Sequence, residues 1–391
     1  MINYLKQEGQ DFFHNKKNIV LYLIVGFLSL FFVIKVEPNF KIYETTNLKK
    51  IEANYLDKKN FLETVNLEGE THPDTLSAVE SFRMVLPIEE KRYEALKKQD
   101  FKIYAKATAE WYEGGSILNP LYYTYGNDFA EFENFYGNRS MGPKMAQYAK
   151  QTSKLSLNQL NEETAWQVIS RLMHRILPVL FCLLAILFSV DMISKDRQHK
   201  SLVNGYPLSV FKRLIAKLII TFIGLFLMII PLSIGFIWIG LRRGFGLLSL
   251  PSSYSIFPID AVSNLNSTFS SETIGLFLAK SLGLMGLSCL AIVLFTFLIS
   301  FRLKQDFINL VVIVLITFSS LFYQRHGLGD IYALYYSPTS YLYSGDIVSG
   351  YQGFFWSTPY LTTNQGYLVV GVTVLLLILL FKLSTVKKRQ L

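Results

Sequence analysis

Six separate apolar segments limit what this sequence can fold into. They lie at about residues 19–36, 174–193, 214–241, 274–300, 307–323 and 366–382. A helix needs about 20 mostly apolar residues to cross a bilayer, and the fifth segment is short by that measure. Charged residues make up only 17% of the chain, against about 25% in soluble domains. We therefore expect an α-helical membrane protein with six transmembrane helices.

The basic residues of the short loops predict the orientation of these helices, because lysine and arginine are enriched in cytoplasmic loops. If the N-terminus is inside, the inner segments hold fourteen of them: Lys6, Lys16, Lys17, Lys195, Arg197, Lys200, Lys212, Arg213, Arg302, Lys304, Lys382, Lys387, Lys388 and Arg389. The short outer loops hold only Arg242, Arg243 and Arg325. We expect a multi-pass protein of the cell membrane with both termini in the cytoplasm. The frequent Lys, Asn, Ile, Phe and Tyr suit a Gram-positive bacterium.

The first apolar segment resembles a signal peptide in its position but lacks a cleavage site. Lys35, Glu37 and Pro38 end it, and no small-residue cleavage site follows. We expect this segment to be retained. Residues 1–36 then form the cytoplasmic N-terminus and the first span.

The net charge of +9 is unevenly distributed along the chain. Residues 37–170 carry 16 basic and 20 acidic residues, whereas the rest carries 22 basic and 9 acidic residues. The basic excess flanks the apolar segments and does not form a soluble basic face of the kind that binds nucleic acid. We therefore expect contact with the lipid bilayer and none with nucleic acid.

Residues 37–173 are expected to form an extracellular domain between the first two spans. Apolar residues recur at three- and four-residue steps over 77–112, with Pro87 among them, which predicts one kinked helix or two helices. Alternation within 51–65 leaves a sheet open. The domain is therefore expected to be mainly helical or α+β.

The end of this domain has weaker patterns. The stretch 116–145 is rich in Asn, Gly, Pro and Tyr, which predicts an irregular loop. A helix is expected from Ser156 onward, leading into the second span. A five-span membrane domain then follows over residues 174–391.

The membrane domain contains a second long outer segment, residues 324–365. It is too polar to span a bilayer, yet it is dense in aromatic residues. Amphipathic aromatic rings favour the headgroup layer. We expect an interfacial loop or short helices on the outer leaflet, with the wall of an exit path through the membrane as the alternative.

The sequence contains no motif for catalysis or nucleotide binding. It has no G-x-x-x-x-G-K-[ST], no G-x-S-x-G and no H-E-x-x-H, and its five histidines lack metal-ligand spacing. His174 is expected to be a surface anchor at the start of the second span. The carboxylates of the outer loops form no motif: Asp260, Glu272, Asp330 and Asp346. We predict no enzymatic activity, catalytic residue, metal or cofactor in this chain.

Small residues in the spans predict close helix packing. Gly275, Ala279 and Gly283 recur every four positions in the fourth span, and this spacing lets another helix approach closely. Gly224 and Pro231 interrupt the third span. These features are expected to serve packing within one helix bundle, with a specific dimer contact as the alternative.

The loop between the second and third spans, residues 194–213, is dense in charged residues. Ser194 or Asp196 can open a short helix, and Gly205 can end it. A second helix is expected to begin at Ser209 and run into the membrane. The loop is then an elbow on the cytoplasmic surface, with its charges facing water or a protein partner. A solvated loop that only sets the topology stays open.

The order of residue types in this loop is the most specific pattern in the chain. It consists of an acidic–basic pair, a small residue, two aliphatic residues, a proline, a serine and a lysine at the head of the next span. These residues are Asp196-Arg197, Ser201, Leu202-Val203, Pro207, Ser209 and Lys217. The pattern resembles the coupling-helix region of type-2 ABC exporter permeases. That family usually has glycine and threonine where this chain has Lys200 and Ser201.

The topology resembles the same family. Six spans, cytoplasmic termini and an aromatic segment between spans five and six are typical of it. A large external domain between spans one and two occurs in the subgroup that includes bacterial sodium-efflux and bacteriocin-associated permeases. The exported substrate that this subgroup suggests is a peptide, an antimicrobial or another amphiphile.

The resemblance implies a transport subunit that hydrolyses no ATP itself. It would work as a homodimer or heterodimer with a separate cytoplasmic ABC ATPase, which would bind ATP and Mg. The ATPase-coupling residues of the 194–213 loop and the following span would be Asp196, Arg197, Lys200, Ser201, Leu202, Pro207, Ser209 and Lys217. The alternative is a membrane sensor or scaffold whose extracellular domain binds a peptide or cell-wall ligand. A third possibility is a membrane enzyme that acts on lipid or wall precursors.

Overall fold

Among the residues that the computed structural model describes, five helices are long and apolar enough to cross a membrane. They are Lys16–Asn39, Ile176–Arg197, Val210–Arg243, Ile274–Arg302 and Thr363–Ser384. The structure describes residues 1–40, 46–69, 72–114, 134–198, 208–260, 266–303, 305–320 and 334–387. These residues are mostly helical, which agrees with the expected α-helical, multi-pass membrane protein.

The chain divides into two compact units. Unit 1 contains Met1–Pro38, Arg171–Trp238 and Leu278–Leu391, and unit 2 contains Asn39–Ser170 and Ile239–Phe277. In chain order the helices and strands are α1 (Ile2–Phe13), α2 (Lys16–Phe31), α3 (Leu48–Thr64), α4 (Pro73–Lys97), α5 (Phe101–Gly114), α6 (Asn134–Ala149), α7 (Leu157–Leu160), α8 (Ala165–His174), α9 (Ile176–Ser189), α10 (Met192–Gln198), α11 (Val210–Leu227), α12 (Ile229–Arg243), β1 (Pro251–Ile256), β2 (Thr268–Thr273), α13 (Ile274–Arg302), α14 (Asp306–Thr317), α15 (Ser344–Val348), α16 (Tyr351–Phe355) and α17 (Thr363–Lys387).

The predicted fifth span is shorter in the structure than expected. The sequence predicts a helix over 307–323, whereas α14 has 12 residues. Twelve residues are too few to cross a bilayer, which needs about 20. Residues 321–323 lie outside the described part of the chain. A sixth crossing therefore stays a prediction.

The ends of the helices in unit 1 follow from local capping. The Ser209 side chain accepts a hydrogen bond from the Lys212 amide, so α11 begins where the sequence predicts. The third span is interrupted at Met228, between α11 and α12, and this position lies between the predicted interruptions at Gly224 and Pro231. The first helix is amphipathic and buries Tyr4 and Phe12.

The described part of the aromatic segment 324–365 forms short helices in unit 1. Two 3₁₀ turns, Leu334–Tyr336 and Pro338–Tyr341, precede α15 and α16. Short helices were expected, but several of their side chains pack inside unit 1. Tyr341 is fully buried in a core cluster that also contains Leu284. Residues 324–333 lie outside the described part of the chain.

Unit 2 combines a helical layer with a β-hairpin. Its helices α3, α4, α5 and α6 pack consecutively against one another, and both strands contact α6. The strands are antiparallel, with Pro251 opposite Thr273 and Ile256 opposite Thr268. Unit 2 therefore includes residues 239–277, which the sequence analysis left in the membrane domain.

Two helices occupy the predicted helical region 77–112, but they do not separate at Pro87. Helix α4 continues through Pro87 and ends at Lys97. The chain then turns at Gln99, which adopts a left-handed backbone with φ of 56°. The side chain of Asp100 accepts a hydrogen bond from the Ile103 amide at 3.1 Å and so opens α5. Polar capping, and not the proline, sets this break.

The open alternative of a sheet within 51–65 is wrong, because these residues lie largely in α3. Ile51 and Tyr55 are the buried residues of this helix, and their spacing of four is helical. The Asn47 side chain caps the helix by accepting a hydrogen bond from the Lys49 amide at 3.0 Å. The apparent alternation therefore did not reflect the buried face.

The expected irregular loop 116–145 is also wrong in part, because its last residues are helical from Asn134 onward. Helix α6 includes Pro143, yet it buries the side chains of Tyr136, Met141, Met145 and Tyr148. Burial of these large side chains outweighs the low helix propensity of proline and glycine. Residues 116–133 lie outside the described part of the chain.

Candidate functional site

Lys217, four residues after the 194–213 loop, is a deeply buried cation. Its side chain is only 3% exposed and lies in the third turn of α11. The ammonium Nζ is 2.8 Å from Oε1 of Glu8 and 3.0 Å from Oδ1 of Asp196. Helices α1, α10 and α11 therefore meet through one cation and two carboxylates. We call Glu8, Asp196 and Lys217 the Lys217 cluster.

A buried tyrosine and an arginine surround the Lys217 cluster. Burial raises the pKa of Tyr4 well above its ordinary value, and a hydrogen bond to the nearby Glu8 adds to the rise. Tyr4 therefore stays neutral at physiological pH. Arg213 is close enough to Asp196 to attract its carboxylate electrostatically. Charges of both signs thus alternate where α1 packs on α11.

Helix α10 is also attached to the end of α13 and the start of α14. Arg197 donates through Nη1 to the carbonyl oxygen of Leu303 at 3.1 Å, and through Nη2 to that of Ser300. A guanidinium suits these carbonyls because the last carbonyls of a helix lack backbone partners. The Ser194 hydroxyl donates to Oδ2 of Asp306 at 2.8 Å. The beginning of the 194–213 loop is therefore held by two helix ends.

A second ion pair joins the start of α2 to the end of α9. Nζ of Lys17 lies 2.6 Å from Oδ1 of Asp191, and Asn15 donates to Oδ2 of the same carboxylate at 3.2 Å. Lys195 pairs with Asp191 one turn further along the chain at 3.2 Å. The first two spans are thus connected at the same end as the Lys217 cluster.

The structure brings together some of the predicted coupling residues. Asp196 and Lys217 form an ion pair, Arg197 lies beside them in sequence, and Ser209 caps α11. The predicted residues outside the described part of the chain are Lys200, Ser201, Leu202 and Pro207. Four members of this region were not expected from the sequence: Glu8, Lys17, Asp191 and Asp306. The short helix begins at Met192 and not at Ser194 or Asp196, which were the expected openings.

The glycines of the predicted packing stripe have different neighbours. A Cβ at Gly283 would clash with the hydroxyl of Tyr367 on α17, and this hydroxyl donates to the Lys280 carbonyl at 2.8 Å. A Cβ at Gly275 would lie 3.4 Å from Leu248, which belongs to a loop. Ala279 is exposed. Close helix packing is therefore found at Gly283.

A buried carboxylate of α15, Asp346, lies against the residues that precede the other end of α9. Asp346 is 1% exposed, and its Oδ1 and Oδ2 lie 2.9 Å from Nδ1 of His174 and 2.7 Å from Nε of Arg175. We call these three residues the Asp346 cluster. The expected surface position of His174 is wrong, because this side chain is buried against α15.

Electrostatics and close backbone packing both stabilise the Asp346 cluster. Burial alone would lower the pKa of Arg175, but the Asp346 charge and its hydrogen bond outweigh burial and raise that pKa. Gly345 allows the close approach, because a Cβ there would overlap the Met173 carbonyl and lie 2.6 Å from Cα of His174. Nearby, Arg171 donates to Oε2 of Glu37 at 2.6 Å.

Among the residues that the structure describes, no group of three or more His, Cys, Asp or Glu side chains could hold a metal ion. No protein-family model, no curated protein and no solved structure matches this chain. The arguments for its function therefore come from its own residues. In chemical terms, the paired charges of the Lys217 cluster connect helices and present no open coordination site.

Proposed function

We propose that this chain is the membrane-spanning permease subunit of an ATP-binding-cassette exporter. It would act as a homodimer or heterodimer in the cell membrane, with both termini cytoplasmic. A separate ABC ATPase would bind ATP and Mg and would hydrolyse the nucleotide. The substrate would be a peptide, an antimicrobial or another amphiphile. Unit 2 would contribute the extracellular domain.

The observation that supports this proposal best is the Lys217 cluster. A permease without a nucleotide site needs a mechanical connection between its docking loop and its spans. Asp196 lies in the helix that opens the 194–213 loop, whereas Lys217 lies inside the third span, and the two side chains form a buried ion pair. A movement of α10 would therefore be transmitted to α11 through a contact that is costly to break.

ATP can drive such a movement only through different affinities for two states. The ATPase must bind nucleotide more tightly in one arrangement of the 194–213 loop than in the other. The Lys217 cluster supplies the rigid contact by which that difference reaches the spans. This proposal separates two sets of residues. Exposed residues such as Lys212 would face the ATPase, whereas the ion-paired residues Asp196 and Lys217 would transmit the movement.

The two sets can be tested with different substitutions in the full-length chain. Lys212 is exposed at the start of α11, so Lys212→Glu reverses a charge on the surface that would face the ATPase. We expect this variant to lose the co-purifying ATPase from native membranes, as measured by mass spectrometry and ATP hydrolysis. Lys49→Glu, at an exposed position of α3, is the matched control and should retain it.

The transmitting set predicts a different result. Asp196→Asn should keep the ATPase attached but reduce the coupling of ATP hydrolysis to export. Charge reversal at Asp196 and Arg197 together should disturb both. Retention of the ATPase and of export in the double reversal would refute the proposal. The sensor or scaffold alternative is favoured if the wild-type protein co-purifies with no ATPase and a peptide or cell-wall ligand is found bound to unit 2 instead.

A further inference from the structure

Unit 1 contains an apolar cavity of about 270 Å³. Its wall is built by α13, α14, α17 and the residues from Pro338 to Leu342. On α13 the lining extends from Ser288 to Phe295, and on α17 from Val370 to Leu377. Seven residues of helix correspond to about 10 Å of length. The cavity is therefore elongated along two of the candidate spans.

The chemistry of the wall excludes a charged occupant. None of the described lining residues is charged, and most are aliphatic or aromatic. Two of the lining hydroxyls already have hydrogen-bond partners. Thr373 donates to the Val369 carbonyl at 2.8 Å, and the Thr339 hydroxyl lies 2.8 Å from that of Ser337. The buried hydroxyl of Ser288 has no hydrogen-bond partner among the described residues, so the wall offers a polar group at Ser288 and is otherwise mostly apolar.

The size and position of the cavity identify what can fill it. Water enters a cavity when it finds two to four polar partners there, and an apolar cavity of about 150 Å³ stays dry and binds benzene. The cavity in unit 1 is larger and partly open, so an apolar chain can enter it and contact lining atoms that otherwise lack neighbours on that side. The walls α13 and α17 are both long and apolar enough to lie in a bilayer. Hydrocarbon is the material available at that depth.

We propose that this cavity binds a single hydrocarbon chain of an amphiphile. The chain would come from a bilayer phospholipid or from a free fatty acid, which share this chemistry. The site would lie along α13 and α17, with Ala291 of α13 and Thr373 of α17 both in its wall. The proposal concerns unit 1 alone, so it holds or fails independently of an ATPase partner.

Photo-crosslinking tests the proposal in the full-length protein. The chain is reconstituted into phosphatidylcholine–phosphatidylglycerol vesicles that contain either a diazirine fatty acid or a phosphatidylcholine with a diazirine in one acyl tail. After irradiation, labelled peptides are identified by mass spectrometry. We expect label on the lining stretches 288–295 and 370–377. Labelling by the fatty acid identifies a free amphiphile as the source, and labelling by the phospholipid identifies a bilayer tail.

Filling the cavity from either wall provides the decisive comparison. Ala291→Phe and Thr373→Phe should each lower labelling of these stretches by about tenfold or more. The matched controls are Gly286→Leu and Gly371→Leu on the same helices, where a Cβ meets no atom within 4 Å. The controls should label like the wild type. Equal labelling of filled and control variants, or label confined to other apolar faces such as α2, would overturn the proposal. The two filling variants lie on different helices, so a folding defect in one leaves the other as the test.

Discussion

The substitution Lys217→Met tests whether the Lys217 cluster holds α1, α10 and α11 together. Methionine has a similar length and helix propensity to lysine, so the main change is the loss of the positive charge. Glu8 and Asp196 would then remain 13% and 25% exposed without their shared cation. Removing one partner of a buried ion pair costs about 3–5 kcal/mol, because the remaining charge is left uncompensated.

This free energy corresponds to a large change in thermal stability. In domains of roughly 150–250 residues, 1 kcal/mol shifts Tm by about 2–4 °C, so Lys217→Met should lower Tm by about 6–20 °C. A triple variant, Glu8→Gln, Asp196→Asn and Lys217→Met, also removes the stranded charges. It should recover most of the loss, because replacing a whole buried ion cluster by neutral groups is often close to neutral.

The protein contains its own reporter for this measurement. Cys182 on α9 and Cys289 on α13 are 0% and 2% exposed, so a thiol-reactive dye labels them only when unit 1 opens. The labelling midpoint is recorded on heating in detergent. Lys16→Met, which removes an exposed lysine at the start of α2, is the control and should leave the midpoint unchanged. A midpoint for Lys217→Met equal to that of Lys16→Met, or a triple variant less stable than the single one, would show that the Lys217 cluster does not hold these helices together.

Three further substitutions test individual contacts. Gly345→Ala should cost about 1–3 kcal/mol, visible as a lower dye-labelling midpoint, because its Cβ would overlap the backbone of Met173. Ser209→Ala removes the cap of α11 and should cost about 1 kcal/mol in the same assay. Burial raises the pKa of Tyr148, whose hydroxyl accepts a hydrogen bond from Gln167, so its contribution to stability is present below the ordinary tyrosine pKa of about 10 and is lost as pH rises above it. Tyr148→Phe should flatten the alkaline fall in the free energy of unfolding, measured by chemical denaturation and circular dichroism.

Hydropathy predicted the positions of the five candidate spans, because each is a continuous apolar run in the sequence. The apolar run 274–300 corresponds to α13, and the cap at Ser209 was found from residue type alone. Helix α6 was missed because its proline and glycines contradict local propensity, and only the burial of residues such as Tyr148 explains it. The β-hairpin was missed because β1 is defined by its pairing with β2, as Pro251 with Thr273.

The charged contacts were less accessible from sequence than the spans. A pattern could relate Asp196 to Lys217, since both belong to one loop and the following helix. No local signal relates Glu8 to Lys217, which is 209 positions further along the chain. The same limit explains the wrong expectation for His174, which is exposed by local pattern but buried by Asp346 from a distant segment. Contacts across such separations depend on how the spans pack.

Helix α9 connects these charged contacts in one element. The span Ile176–Arg197, which begins with α9, is the most buried of the five, with 67% of its apolar window inside the protein. One end is fixed by the Asp346 cluster through Arg175, and the other by the ion pair of Asp191 with Lys17. Ion pairs hold both ends of α9, and most of the side chains between them are buried. Such a helix resists bending, because the protein interior around it is close-packed. Within unit 1, the charged contacts at the two ends of α9 therefore connect the start of α2 with the aromatic segment at Asp346.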